Sequence, residues 1–115
     1  MNAFPVRGDV WRANLDPVRG HEQGRVRPVL VVSNNVFNRG PSELVTVIPI
    51  ANKFRPIRAY LRIESPEGGL PQTSYIICDQ IRTLSRDRLN KRFGTVSSKT
   101  LAEVGERLKF LLALS

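Results

Sequence analysis

Residues 15–35 read LDPVRGHEQGRVRPVLVVSNN. The apolar half decides the fold. Val29 to Ser33 is a β-branched run without alternation, the pattern of a strand buried on both faces. Leu44 to Ile50 repeats that pattern, and "NNVFNRGPS" between them reads as a turn or a short helical turn. The polar half, residues 16–28, carries two glycines and two prolines and reads as a long loop. That loop holds the chain's only histidine, and it gathers His21, Glu22, Arg25 and Arg27 just ahead of Pro28 and the strand.

Outward from this stretch, Val10 to Leu15 alternates loosely after the turn signal Arg7-Gly8-Asp9 and reads as a first strand. Tyr60 to Ile63 reads as an edge strand, "ESPEGGLPQ" as a turn, Thr73 to Gln80 as a further strand and Phe93 to Val96 as a last short one. The period then changes. Leu101, Val104, Leu108, Leu111 and Leu112 fall on one helical face, with Ser97 or Ser98 placed to cap it. Gly105 in mid-helix costs about 1 kcal/mol relative to alanine, which points to close packing there. Short strands followed by one terminal helix predict a mainly β domain over residues 1–115, a small, partly open barrel with the helix as its lid.

Composition narrows the partners. The formal charge is +8, which favours polyanions, with RNA and DNA backbones foremost, or an acidic protein. One cysteine excludes an intramolecular disulfide, and one histidine with one cysteine makes a zinc site a poor expectation. The N-terminus lacks the apolar run of a signal peptide, and no segment reaches the length of a membrane span. A cytoplasmic location, no membrane association, no metal and no cofactor are expected.

Three motifs, "RGDVW", "LDPVRGHEQGRVRPVLVVSNNVFN" and "ICDQIRTLSRDRL", occur in the order and spacing of the MazF/PemK family of toxins. The combination of "GHEQ", "RPVLVV" and "CDQ" most resembles the PemK/Kid branch. The resemblance spans nearly the whole chain. It implies the SH3-like, partly open barrel of the MazF/PemK/CcdB-like fold and a homodimer. It also implies a metal-independent endoribonuclease for single-stranded RNA, and an acidic antitoxin whose tail blocks the RNA groove.

Such an enzyme uses the RNA's own 2′-hydroxyl as nucleophile. It needs an acceptor for that proton, a donor for the leaving 5′-oxygen and a cation for the phosphorane. Arg27 corresponds to the family arginine before the strand-opening proline, and its planar fork suits phosphate. His21 matches the branch's loop histidine, and a proton carrier and a solvated loop residue are both open readings for it. Glu22 either takes part in catalysis or holds the loop. Asp79 matches the branch's aspartate assigned as general base; pairing with Arg82 is the alternative. Gln23, Arg25, Asn52, Lys53, Arg55, Thr73, Ser74 and Gln80 are the expected RNA contacts. Arg58 and Arg62 extend the basic wall, Phe54 reads first as barrel packing with stacking on a base as the alternative, and Cys78 reads as a buried apolar residue.

Two positions depart from the family pattern. Ala51 stands where a threonine partners the arginine, and Ile77 where the PemK/Kid branch has an arginine assigned as general acid. One lost preorganised donor removes on the order of 2.7–4 kcal/mol of transition-state stabilisation. A catalytically weakened module that binds RNA or antitoxin is therefore the alternative function. A poison of a DNA topoisomerase fits the arginine–histidine loop less well.

Overall fold

The computed structural model describes residues 4–115. Its strands and helices are β1 (Asp9–Asn14), β2 (Val26–Val31), α1 (Asn35–Asn38), β3 (Leu44–Ala51), β4 (Tyr60–Ile63), β5 (Ser74–Ile77), β6 (Arg82–Ser85), β7 (Leu89–Thr95) and α2 (Ser98–Leu112). All pairings are antiparallel, in the order β4-β5-β3-β2-β1-β7, with β6 also on β3. β4 and β7 do not meet, so the barrel is open.

β3 is the hinge of this sheet. Its residues Leu44–Val47 pair with β6, and Ile50 and Ala51 pair with β5 on the same edge. Pro49 has no N–H to donate and lies between the two partners, where a missing ladder bond is tolerated. The bend places Leu30, Ile48 and Ile50 in one core with Ile76 and Val104. Val29, Val31, Val45 and Val47 enter a second core with Ala13, Leu15 and Leu84. Successive side chains of a strand point to opposite faces, so the unbroken apolar runs of β2 and β3 supply both cores at once.

Several boundaries differ from the sequence reading. β2 begins at Val26, so Arg27 and Pro28 are already in the strand, opposite Ala13 and Arg12. The expected strand from Thr73 to Gln80 stops at Ile77, and Cys78–Gln80 forms a 3₁₀ turn. β6 has no counterpart in the sequence reading, because Leu84 is its one buried residue and a half-covered four-residue strand leaves little pattern. β7 starts at Leu89 rather than Phe93.

The terminal helix closes the first core through Val104, Leu101 and Leu108. Leu111 and Leu112 stay exposed instead, in a last turn that overhangs the barrel. Gly105 has no neighbour within 4 Å of where a Cβ would lie, so the close packing expected there is absent. Gly69 is different: a Cβ would meet Phe93 O at 2.1 Å, and its φ is +71°.

The helix start is tied to the sheet. Ser97 caps it by accepting from Thr100 N at 3.1 Å. Glu67 Oε2, in the 3₁₀ turn Glu67–Gly69, accepts from Ser97 N, Ser97 Oγ and Thr100 Oγ1 at 3.1, 3.3 and 2.5 Å. Partial burial pushes the Glu67 carboxyl up, but the hydrogen bonds from Thr100 and Ser97 outweigh it and hold the group below its ordinary value. A depressed carboxylate stabilises the fold above its unfolded pKa, and that contribution is lost as pH falls through the folded value. Glu67→Gln is expected to destabilise the protein by about 1 kcal/mol at neutral pH. Urea titrations at descending pH are expected to show the difference from wild type shrinking below about pH 4.

Candidate nucleic-acid interface

The loop between β1 and β2 is anchored at its base. Arg25, left-handed at φ 65°, donates its N–H to Asp16 Oδ1 at 2.8 Å, and its carbonyl accepts from Leu15 N at 2.8 Å. Arg82 Nη1 reaches Leu15 O at 3.1 Å, and Arg88 Nη1 reaches Asp16 O at 2.5 Å. Gly24 lets the chain pass close by, since a Cβ there would lie 2.7 Å from both Asp16 Oδ1 and Val18 Cγ2 and would displace those side chains. Its carbonyl accepts from Arg27 Nε at 2.8 Å, which leaves the terminal nitrogens of the guanidinium to face outward.

Arg27 lines two adjoining surface cavities of about 210 and 370 Å³. Ala51 and Asn52 line both. Extending the β2–β3 register by two residues from Val29 and Pro49 sets Ala51 opposite Arg27. The second cavity also takes in Gln23, Lys53, Arg55 and Tyr60. Among the described residues, Arg27, Lys53 and Arg55 form no ion pair. The remaining basic residues of the expected wall go elsewhere: Arg62 pairs with Glu64 at 2.7 Å, and Arg58 sits 5.0 Å over the Phe110 ring. Phe54 is 65% exposed and packs at 5.5 Å on Tyr75.

The structure disperses other expected site residues. Asp79 is exposed on the 3₁₀ turn and lines a separate cavity of about 320 Å³ with Arg58, Arg107 and Phe110, so it does not share the Arg27 groove within one chain. It is not paired with Arg82, whose guanidinium is occupied by Leu15 O. Glu22 accepts from Arg19 N at 2.5 Å and so stitches its own turn of the loop. His21 is exposed, and its imidazole has no hydrogen bond among the described residues. Ser74 lines the smaller Arg27 cavity, whereas Thr73 donates to Glu64 Oε1 at 3.3 Å. Tyr60 enters the groove unannounced, because a tyrosine on an edge strand has no signal beyond strand propensity.

The class defined by the fold and the groove is an open, basic SH3-like barrel with unpaired cations on a surface groove. The chain belongs to the family of PemK-like, MazF-like toxins of type II toxin–antitoxin systems, whose model matches residues 6–112. It is 37% identical over 109 residues to Endoribonuclease EndoA of Bacillus subtilis, covering 94% of each chain. Endoribonuclease MazF of Staphylococcus saprophyticus is 36% identical over 109 residues, covering 94% of this chain and 91% of the relative. Among solved structures, MazF from Deinococcus radiodurans superposes with a TM-score of 0.86 at 27% identity, covering 97% of this chain and 99% of the other. A mycobacterial endoribonuclease in complex with its cognate antitoxin gives 0.79 at 29%, covering 96% and 97%.

Cys78 is the buried first residue of the turn that carries Asp79. Burial pushes its thiol up to about 11; nearby Arg107 lowers it and Asp79 raises it by smaller amounts. The thiol is thus protonated and inert at neutral pH. Iodoacetamide at pH 7.5 is expected to leave the native protein unmodified and to alkylate it in 8 M urea, a mass difference read directly by mass spectrometry.

Proposed function

We propose that this chain is a toxin endoribonuclease that cleaves single-stranded RNA without metal by 2′-hydroxyl attack. One observation carries the reading: Arg27, Lys53 and Arg55 converge unpaired on one groove, beside the neutral polar groups of Gln23, Asn52 and Tyr60. Unpaired cations in a shared groove attract anions, and phosphate oxygens match the guanidinium fork. The family membership and the endoribonuclease relatives support the reaction class.

The 2′-oxygen attacks phosphorus, the bond from phosphorus to the 5′-oxygen breaks, and a 2′,3′-cyclic phosphate and a 5′-hydroxyl result. Arg27 neutralises the charge on the phosphorane oxygens. His21, exposed on the loop beside the groove, takes the 2′-hydroxyl proton and returns a proton to the leaving 5′-oxygen, because Asp79 lines a separate cavity and does not reach the same phosphate within one chain. RNA lies along the surface from the Arg27 groove past the loop tip to the turn at Asp79. Lys53 and Arg55 hold the flanking phosphates. The protein works in the cytoplasm, and no helix among the described residues is long and apolar enough to cross a membrane. An antitoxin with an acidic segment neutralises it through the same cations.

A second copy of the chain covers the exposed end of α2, where Phe110, Leu111, Leu112 and Leu114 are 72, 42, 52 and 60% exposed. Sedimentation equilibrium is expected to give a dimer for the wild type, and a monomer for Leu111→Glu combined with Leu114→Glu. A wild-type monomer at micromolar concentration overturns this assignment.

The methyl group of Ala51 beside Arg27 favours the second reading, a module that binds RNA or antitoxin and cleaves weakly. Both readings predict salt-dependent RNA binding. Only the first predicts that purified protein in EDTA cuts a long single-stranded RNA to 5′-hydroxyl ends. Arg27→Ala is expected to lower the cleavage rate by about 10²–10³-fold while folding normally. Intact RNA after prolonged incubation with folded wild type decides for the second reading.

A further inference from the structure

The side chain of Gln80 spans from the 3₁₀ turn to the tip of the β1–β2 loop. Its Nε2 donates to His21 O at 3.0 Å, and its Oε1 accepts from Gln23 N at 2.7 Å. The amide orientation is set by its partners, since a carbonyl accepts and a backbone N–H donates. The two bonds engage both ends of the segment His21-Glu22-Gln23, as the N–H and C=O of one residue in a neighbouring parallel strand would. Among the described residues, no other hydrogen bond joins residues 18–23 to the rest of the protein. Glu22 and Arg19 bond only each other, and Asp16, Arg25, Arg82 and Arg88 hold the base of the loop.

We infer that Gln80 is a positioning residue of the RNA-cleaving site, holding the loop tip that carries His21 and Gln23 rather than contacting RNA. This rests on the nuclease reading above. Both polar ends of Gln80 are occupied by loop backbone. The clamp is also the link between two parts of the site that line separate cavities. Gln80 adjoins Asp79 in the turn, and Gln23, which it holds, lines the Arg27 groove. A single side-chain amide thus fixes the loop tip, with His21 and Gln23, relative to the turn that carries Asp79. A displacement of about 1 Å in such a constellation lowers the rate by roughly a hundredfold.

Two variants and two readouts test this. Gln80→Met keeps the size and removes both bonds. Gln80→Glu retains the acceptor for Gln23 N and loses the donor to His21 O. In the RNA-free protein, amide hydrogen exchange at Gln23 is expected to accelerate by about tenfold or more in Gln80→Met, with Ile48 in β3 unchanged as the control for folding. Gln80→Glu is expected to keep the Gln23 amide protected. In cleavage assays Gln80→Met is expected to lose about 10- to 100-fold in kcat with little change in KM, and Gln80→Glu to recover part of it. Unchanged Gln23 exchange in Gln80→Met overturns the clamp. A raised KM with unaltered kcat overturns positioning in favour of direct RNA contact. If the wild type cleaves nothing, the nuclease reading and this role in it both fall, while exchange at Gln23 still shows whether the clamp exists.

Discussion

Over Leu44–Val47 one edge of β3 is bonded to β6, and over Ile50–Ala51 the same edge is bonded to β5, while β2 occupies the other edge. A strand shared in this way cannot lie flat. It bends at Pro49, and the sheet folds around it into two cores on opposite faces. The end of β3 consequently emerges beside the start of β2. That is why Ala51 and Arg27 line common cavities although 24 positions separate them.

The groove rests on this rigid pair of strands and is completed by a loop that has almost no core of its own. Residues 16–25 bury no large apolar side chain, so hydrogen bonds hold the loop. The base is secured by Asp16, Arg82 and Arg88 and the tip by Gln80. Gly24 allows the chain to pass close to Asp16 and Val18, and the carbonyl it presents aims Arg27. Two of the loop's basic neighbours, Arg82 and Arg88, spend their charge on backbone carbonyls and build the site without facing a ligand. Three others, Arg27, Lys53 and Arg55, remain unpaired. A net charge of +8 therefore divides into structural and unpaired cations, and only geometry tells them apart.

Much of the barrel is legible residue by residue. The β-branched runs of β2 and β3 announce burial on both faces, and Ser97 with the leucine spacing that follows announces the helix. The opaque parts have weak local signals. β6 shows one buried residue in four, and the turn Cys78–Gln80 continues the apolar composition of β5 without a glycine or proline to mark its end. Residue type alone likewise does not show that Gln80 bonds the loop backbone, that Arg62 pairs with Glu64 or that Arg58 lies over Phe110. Their partners are distant or neighbouring side chains and backbone groups that the pattern does not reveal.

The sequence by itself determined the class of barrel, the charged loop mounted on a buried strand, the family resemblance and the two substitutions at Ala51 and Ile77. These are properties of composition, periodicity and motif, each carried by residues close together in the chain. Only the tertiary structure decided which cations share a groove, that Asp79 lines a different cavity from Arg27, and that Gln80 grips the loop across 57 and 59 positions. The physical reason is that hydrogen bonds and unpaired charges depend on distances between segments. Those distances exist only once β3 has bent and brought the ends of the strands together.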